Sequence, residues 1–140
     1  MPLFTYDPKQ VAVIIGGKII SGFADGTFVK VERNEQAFNL KVGVDGEGTR
    51  AKSNNLSGKI TLTLMQSSSS NDDLSAFAAA DEAANAGAVP AYVNDKSGRS
   101  IFTALTAWVQ KYADAEYAKE VMTRTWVLET DELVMNVAGN

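Results

Sequence analysis

The chain has 140 residues, 45% of them hydrophobic, and a formal net charge of −4, the size and balance of a single domain that can bury a core without staples. It contains no cysteine and no histidine, so disulfides, zinc–sulfur sites, thiolate nucleophiles and Ser-His-Asp hydrolysis are excluded by inventory. Its cations are scattered among acids rather than clustered, which argues against a broad phosphate-binding surface.

Residues 1–7 lack the basic-then-apolar order of a secretory signal, and no apolar run is long enough to span a bilayer. Residues 11–21 read as two short strands around Gly16-Gly17, a pair that permits the positive φ angles of a tight hairpin. Asp25-Gly26 marks a second turn. Residues 27–33 alternate, with Lys30 and Glu32 on the same face as Phe28. Residues 36–42 alternate again, Phe38, Leu40 and Val42 against Ala37, Asn39 and Lys41, with Asn34-Glu35 expected as the hairpin tip between the two strands.

Residues 43–57 are polar, glycine-bearing and aperiodic, and are expected to form a long inter-strand loop. In the strand that follows, Ile60, Leu62 and Leu64 point one way, and Lys59, Thr61 and Thr63 the other. Such alternation marks one face on a core and one in water. The serine run then leads into a helix over residues 70–86. Ser70 or Asn71 is expected as its cap, Asp72 and Asp73 suit its dipole, and Gly87 is its stop. Leu74, Phe77, Ala78 and Ala84 would form its buried stripe.

Residues 89–93 and 100–110 read as strands, residues 112–120 as helix or loop, and residues 122–129 and 132–138 as a final hairpin turning near Asp131. The sum is an α+β domain over residues 1–140, a mainly antiparallel β-sandwich or barrel with one principal flanking helix.

No reaction centre stands out. Gly46-Glu47-Gly48-Thr49-Arg50-Ala51 fits a degenerate dinucleotide fingerprint but no helix or βαβ unit follows it. Asp45 and Glu47 could touch a cation, yet no third acid completes a ligand set. The acid groups at Asp72/Asp73, Asp81/Glu82, Asp114/Glu116 and Glu129/Asp131/Glu132 are read more simply as caps, turns and solvated faces than as facing glycosidase carboxylates. Trp108, Trp126, Tyr112 and Tyr117 could stack on ligands, but strand aromatics more often anchor cores or interfaces. No cofactor and no metal are expected.

Three stretches carry a resemblance. They are residues 45–50 (Asp-Gly-Glu-Gly-Thr-Arg), residues 53–66 (Ser-Asn-Asn-Leu-Ser-Gly-Lys-Ile-Thr-Leu-Thr-Leu-Met-Gln) and the Ser69…Asn71-Asp72…Leu74-Ser75 pattern. Together with residues 22–33 they resemble tail tube proteins of contractile-tailed bacteriophages. The resemblance implies a non-enzymatic virion protein that forms hexameric rings. The rings stack into a tube with a β-lined lumen, which DNA crosses without specific binding. It implies sheath, baseplate and tape-measure proteins as partners, no membrane insertion, and assembly in the host cytoplasm before residence in the tail.

On that reading Lys30, Glu32, Asn39, Lys41, Lys59, Thr61 and Thr63 are expected to face the lumen, where mixed charge would let DNA slide. Asp45, Gly46, Glu47, Gly48, Thr49, Arg50, Lys52, Asn54 and Asn55 are expected to contact neighbouring subunits or the next ring. The helix could face the sheath. A bacteriocin or secretion tube, a monomeric binding β-sandwich, and an enzyme using carboxylates alone stand as alternatives.

Overall fold

The structure, a computed structural model, describes residues 3–140; Met1 and Pro2, the start of the stretch read above for a signal and of the expected domain, lie outside the described residues. In chain order the elements are β1 (Val11–Ile15), β2 (Lys18–Ile19), β3 (Val29–Arg33), β4 (Phe38–Val42), β5 (Gly48–Lys52), β6 (Gly58–Met65), α1 (Ser70–Ala84), β7 (Val89–Asp95), β8 (Ile101–Val109), β9 (Thr123–Thr130) and β10 (Val134–Asn136). The fold is mostly antiparallel β with one α-helix, as expected.

The expected sandwich or closed barrel needs refinement. One open sheet of eight strands runs β2-β1-β7-β8-β9-β6-β3, with β10 also on β8. Its ends, β2 and β3, do not pair with each other. The sheet nevertheless curls. Val29 and Val31 of β3 share an apolar cleft of about 240 Å³ with Val11, Val93, Phe102 and Met135 from the far half.

Alternation drives the core. Along β6 every second residue is buried, and Ile60, Leu62 and Leu64 are at most 1% exposed. They meet Leu128 and Trp126 of β9 and join Val13, Ile15, Val93, Leu74 and Leu133 in one cluster. Each such aliphatic side chain contributes about 1.5–3 kcal/mol by leaving water. The β1–β2 turn is the one expected, with Gly16 at φ 58° and Gly17 at φ 81°. At Gly16 no Cβ would fit, because the Phe77 ring and Val89 occupy that space.

The helix packs Leu74 and Ala78 into the core. Ser70 and Asn71, expected as caps, lie inside it. Ser69 is the N-cap and makes no side-chain cap bond. The two side chains tie the helix to the sheet instead. Ser70 Oγ accepts from the Ser21 amide at 2.9 Å, and Asn71 accepts from Trp126 Nε1 at 2.9 Å while donating to the Met65 and Ser68 carbonyls. Asn85, in the left-handed conformation at φ 54°, ends the helix ahead of Gly87, and Ala84 is exposed. Tertiary bonds outbid the local capping preference here.

Two expected hairpins are absent. β10 does not turn back on β9; both run antiparallel along the same edge of β8, one after the other. Thr130 Oγ1 donates to the Thr106 carbonyl at 2.7 Å and accepts from the Glu132 amide, which fixes a kink rather than a turn. Nor is Asn34-Glu35 a hairpin tip, since β3 pairs with β6 and β4 pairs with β5. The register slips by a single residue between the two pairings, Arg33↔Gly58 and Phe38↔Lys52. Both pairs are therefore parts of one long ribbon that leaves the sheet and returns to it. Its tip is the turn at residues 43–47, where the Gly43 amide donates to the Glu47 carbonyl at 2.8 Å.

Candidate functional site

The residues expected at a functional surface fall on two parts of the molecule: the solvent face of the β3–β6–β9 half-sheet, and the projecting β4–β5 arm with its root.

Cross-strand partners share a face, so the pairings assemble the first surface directly. Lys30 lies opposite Thr61, Glu32 opposite Lys59, Lys59 opposite Glu129, Thr61 opposite Val127 and Thr63 opposite Thr125. Lys30, Glu32, Lys59, Thr61 and Thr63 are thus brought together on one wet, threonine-rich face. Lys30 Nζ and Glu32 Oε2 are 3.9 Å apart and both exposed, an ion pair that contributes little to stability. Lys59 sits between Glu32 and Glu129, so the cations on this face are balanced by acids. Thr125, Val127 and Glu129, which the sequence reading did not name among its surface candidates, share this face. Alternation within β9 carried the signal for them, but only the β6–β9 register places them beside Lys59.

Asn39 and Lys41 do not join that face; they lie on the arm, opposite Ala51 and Thr49. The segment 43–57 is not the irregular loop its composition predicts. Gly48, Thr49, Arg50 and Lys52 form β5, and the turn before it holds Asp45, Gly46 and Glu47. Polar residues with little β preference pair here because β4 supplies a complete edge, an override of local propensity. Gly46 has φ 87°, and Asp45 Oδ1 accepts from the Glu47 amide at 3.2 Å, the local bond that closes such turns. Asn54 and Asn55 lie on the exposed return path, where Asn55 Oδ1 accepts from the Ser57 amide.

Every residue of β4 and β5 is exposed. One arm face carries Phe38, Leu40 and Val42 with Arg50 and Lys52 across from them. Leu40 is 71% and Val42 57% exposed. The Arg50 guanidinium lies 4.2 Å from the Phe38 ring centroid, a cation–π contact that orders the base of this face.

The alternative sites do not assemble. The residues of the dinucleotide-like pattern lie in a turn and a strand. Among the described residues no group of three potential metal ligands comes together. Trp126 is a core residue, 3% exposed.

Three solved structures share this architecture. A chain of an extracellular contractile injection system, PVC sheath/tube terminator in the extended state, superposes with a TM-score of 0.64 at 10% identity, covering 96% of this chain and 99% of the other. The anti-feeding prophage tube-terminating cap gives 0.61 at 9% identity, over 99% and 95%. A chain of the PVC sheath–tube complex gives 0.60 at 10% identity, over 96% and 93%. Shared architecture at such low identity defines a class of fold. Sequence narrows it further. The chain is 31% identical over 144 residues to structural protein ORF10 of Pseudomonas phage KPP10, covering 97% of this chain and 83% of that protein. Residues 11–137 match the family described as Bacteriophage PhiTE tail tube protein, and the chain belongs to that family. It is a structural component of a phage tail, not an enzyme.

Proposed function

We propose that copies of this chain close into hexameric rings and stack as the inner tube of a contractile tail, through which DNA passes. The arm is the observation that carries this reading. An isolated two-stranded hairpin is at best marginally stable in water, yet β4 and β5 pair along their whole length with every residue exposed and an apolar row on one face. Such an element gains its stability by lying against another copy. The turn residues Asp45, Gly46 and Glu47, the strand residues Gly48, Thr49, Arg50 and Lys52, and Asn54 and Asn55 at the root are accordingly contacts between copies.

The face bearing Lys30, Glu32, Lys59, Thr61 and Thr63 lines the lumen in this reading, with Glu129 and Thr125 beside them. Balanced charge keeps phosphate from binding tightly there, so DNA moves through. Asn39 and Lys41 belong to the inter-copy surface instead. The unpaired outer edges of β2 and β3 are covered in the ring, which removes an aggregation hazard. The exposed side of α1 faces outward toward a sheath, and baseplate and tape-measure proteins set where the tube starts and how far it grows. Assembly takes place in the host cytoplasm.

The test replaces residues 38–52 with a short Gly-Ser turn. Ser53 N and Ala37 O are 2.8 Å apart, so the cut ends already meet. The expected product is a monomer with an unchanged unfolding midpoint that forms no tubes in negative-stain micrographs, under conditions where the intact chain does. Normal tubes from the truncated chain would refute the role of the arm.

A further inference from the structure

The apolar, cationic face of the arm has a matching surface elsewhere on the same chain. Leu105 is 83% and Val134 57% exposed, and together with Thr106, Asp131 and Glu132 they line a cleft of about 140 Å³. The cleft is a built feature. The kink between β9 and β10 presents both acids, held by Thr130 Oγ1 on the Thr106 carbonyl at 2.7 Å. Among the described residues, the carboxylates of Asp131 and Glu132 make no ion pair, and neither do Arg50 and Lys52.

We propose that the β4–β5 arm of one copy docks on the Leu105–Val134 cleft of the next. Leu40 and Val42 cover Leu105 and Val134, while Arg50 and Lys52 meet Asp131 and Glu132. This inference rests on the tube reading and names the receiving surface within it. Three observations select a second copy as occupant. The two surfaces match in kind, two aliphatic side chains with two cations against two aliphatic side chains with two acids. Within one copy they do not cover each other, since Leu40 and Leu105 are both largely exposed. Arm-on-arm pairing would set like charges together, which costs stability.

The geometry is head to tail. The cleft lies at the root of its own arm, where Arg33 Nε and Nη2 both donate to the Leu133 carbonyl, at 2.9 and 2.6 Å, and the Leu133 amide donates to Leu56. An arm seated on its neighbour's root joins two different surfaces. Such a contact propagates from copy to copy and closes into a ring or continues as a filament, whereas a self-complementary patch stops at a dimer.

The absence of native cysteine makes the contact directly testable. Leu40→Cys and Leu105→Cys variants are mixed under assembly conditions, oxidised, and run on non-reducing gels. The expected result is a cross-link between the two variants that neither forms alone, because a disulfide requires Cα atoms within about 7 Å. In parallel, Arg50→Glu/Lys52→Glu and Asp131→Lys/Glu132→Lys should each cut tube yield about tenfold or more, from like charges now facing each other. The combined variant should recover most of it. Thermal unfolding separates lost docking from lost folding. If the intact chain forms tubes but the mixture does not cross-link, or the combined variant assembles no better than its parents, the docking surface is wrong and the tube reading survives. If the intact chain forms neither tubes nor cross-links, both fall.

Discussion

β4 and β6 have nearly the same sequence logic and opposite fates. Each alternates apolar and hydrophilic side chains, Phe38-Asn39-Leu40-Lys41-Val42 against Ile60-Thr61-Leu62-Thr63-Leu64. In β6 the apolar set is fully buried; in β4 it is exposed throughout. Alternation therefore reports that side chains share a face, and says nothing of whether the cover belongs to the same molecule. One strand stabilises the monomer, whereas the other leaves its apolar surface in water, where the proposed contact between copies would cover it.

That contrast can be tested by substitution. The largest effect on the monomer is expected from Leu62→Ala. The site is fully buried, and the lost contacts and cavity should cost about 2–5 kcal/mol in urea unfolding. Gly58→Ala comes next. A Cβ there would meet the Leu133 side chain and stand 2.6 Å from the Glu32 carbonyl, so overpacking of about 1–3 kcal/mol is expected by the same assay. Leu40→Ala on the arm should shift monomer stability by no more than about 0.5 kcal/mol while lowering tube yield; a core-sized loss would show that the arm is covered within its own chain. The smallest stability change is expected from Glu32→Gln with Glu129→Gln. This pair leaves Lys30 and Lys59 unopposed on the proposed lumen face. DNA should then be retained in assembled tubes with a salt dependence that the parent lacks, and unchanged DNA release would place that face elsewhere.

Much of the fold was legible because its determinants are local. The Gly16-Gly17 hairpin, the alternation of β6 and the helix after the serine run each follow from a few neighbouring residues. What escaped depends on distant partners. Asn34-Glu35 looks like a tip, yet β6 returns to take the edge of β3. Asp131 looks like a turn, yet Thr106 holds the chain straight enough to continue along β8. Gly48 to Lys52 has no strand signature and becomes a strand because β4 lies beside it. For the same reason the expected lumen residues divided between two surfaces. Lys30, Glu32, Lys59, Thr61 and Thr63 are joined by the β3–β6 ladder, while Asn39 and Lys41 lie beyond the register slip, on the arm.

The ribbon also sets how the chain bears load. Both strands of the arm continue into the sheet as β3 and β6, and β6 is paired with β9 over eight consecutive residues. Ladder hydrogen bonds lie across the strands. A pull along a held arm thus shears all of them at once instead of peeling them one by one. If a neighbouring copy holds the arm as proposed, tension between copies in the tail would enter each subunit through its most resistant direction.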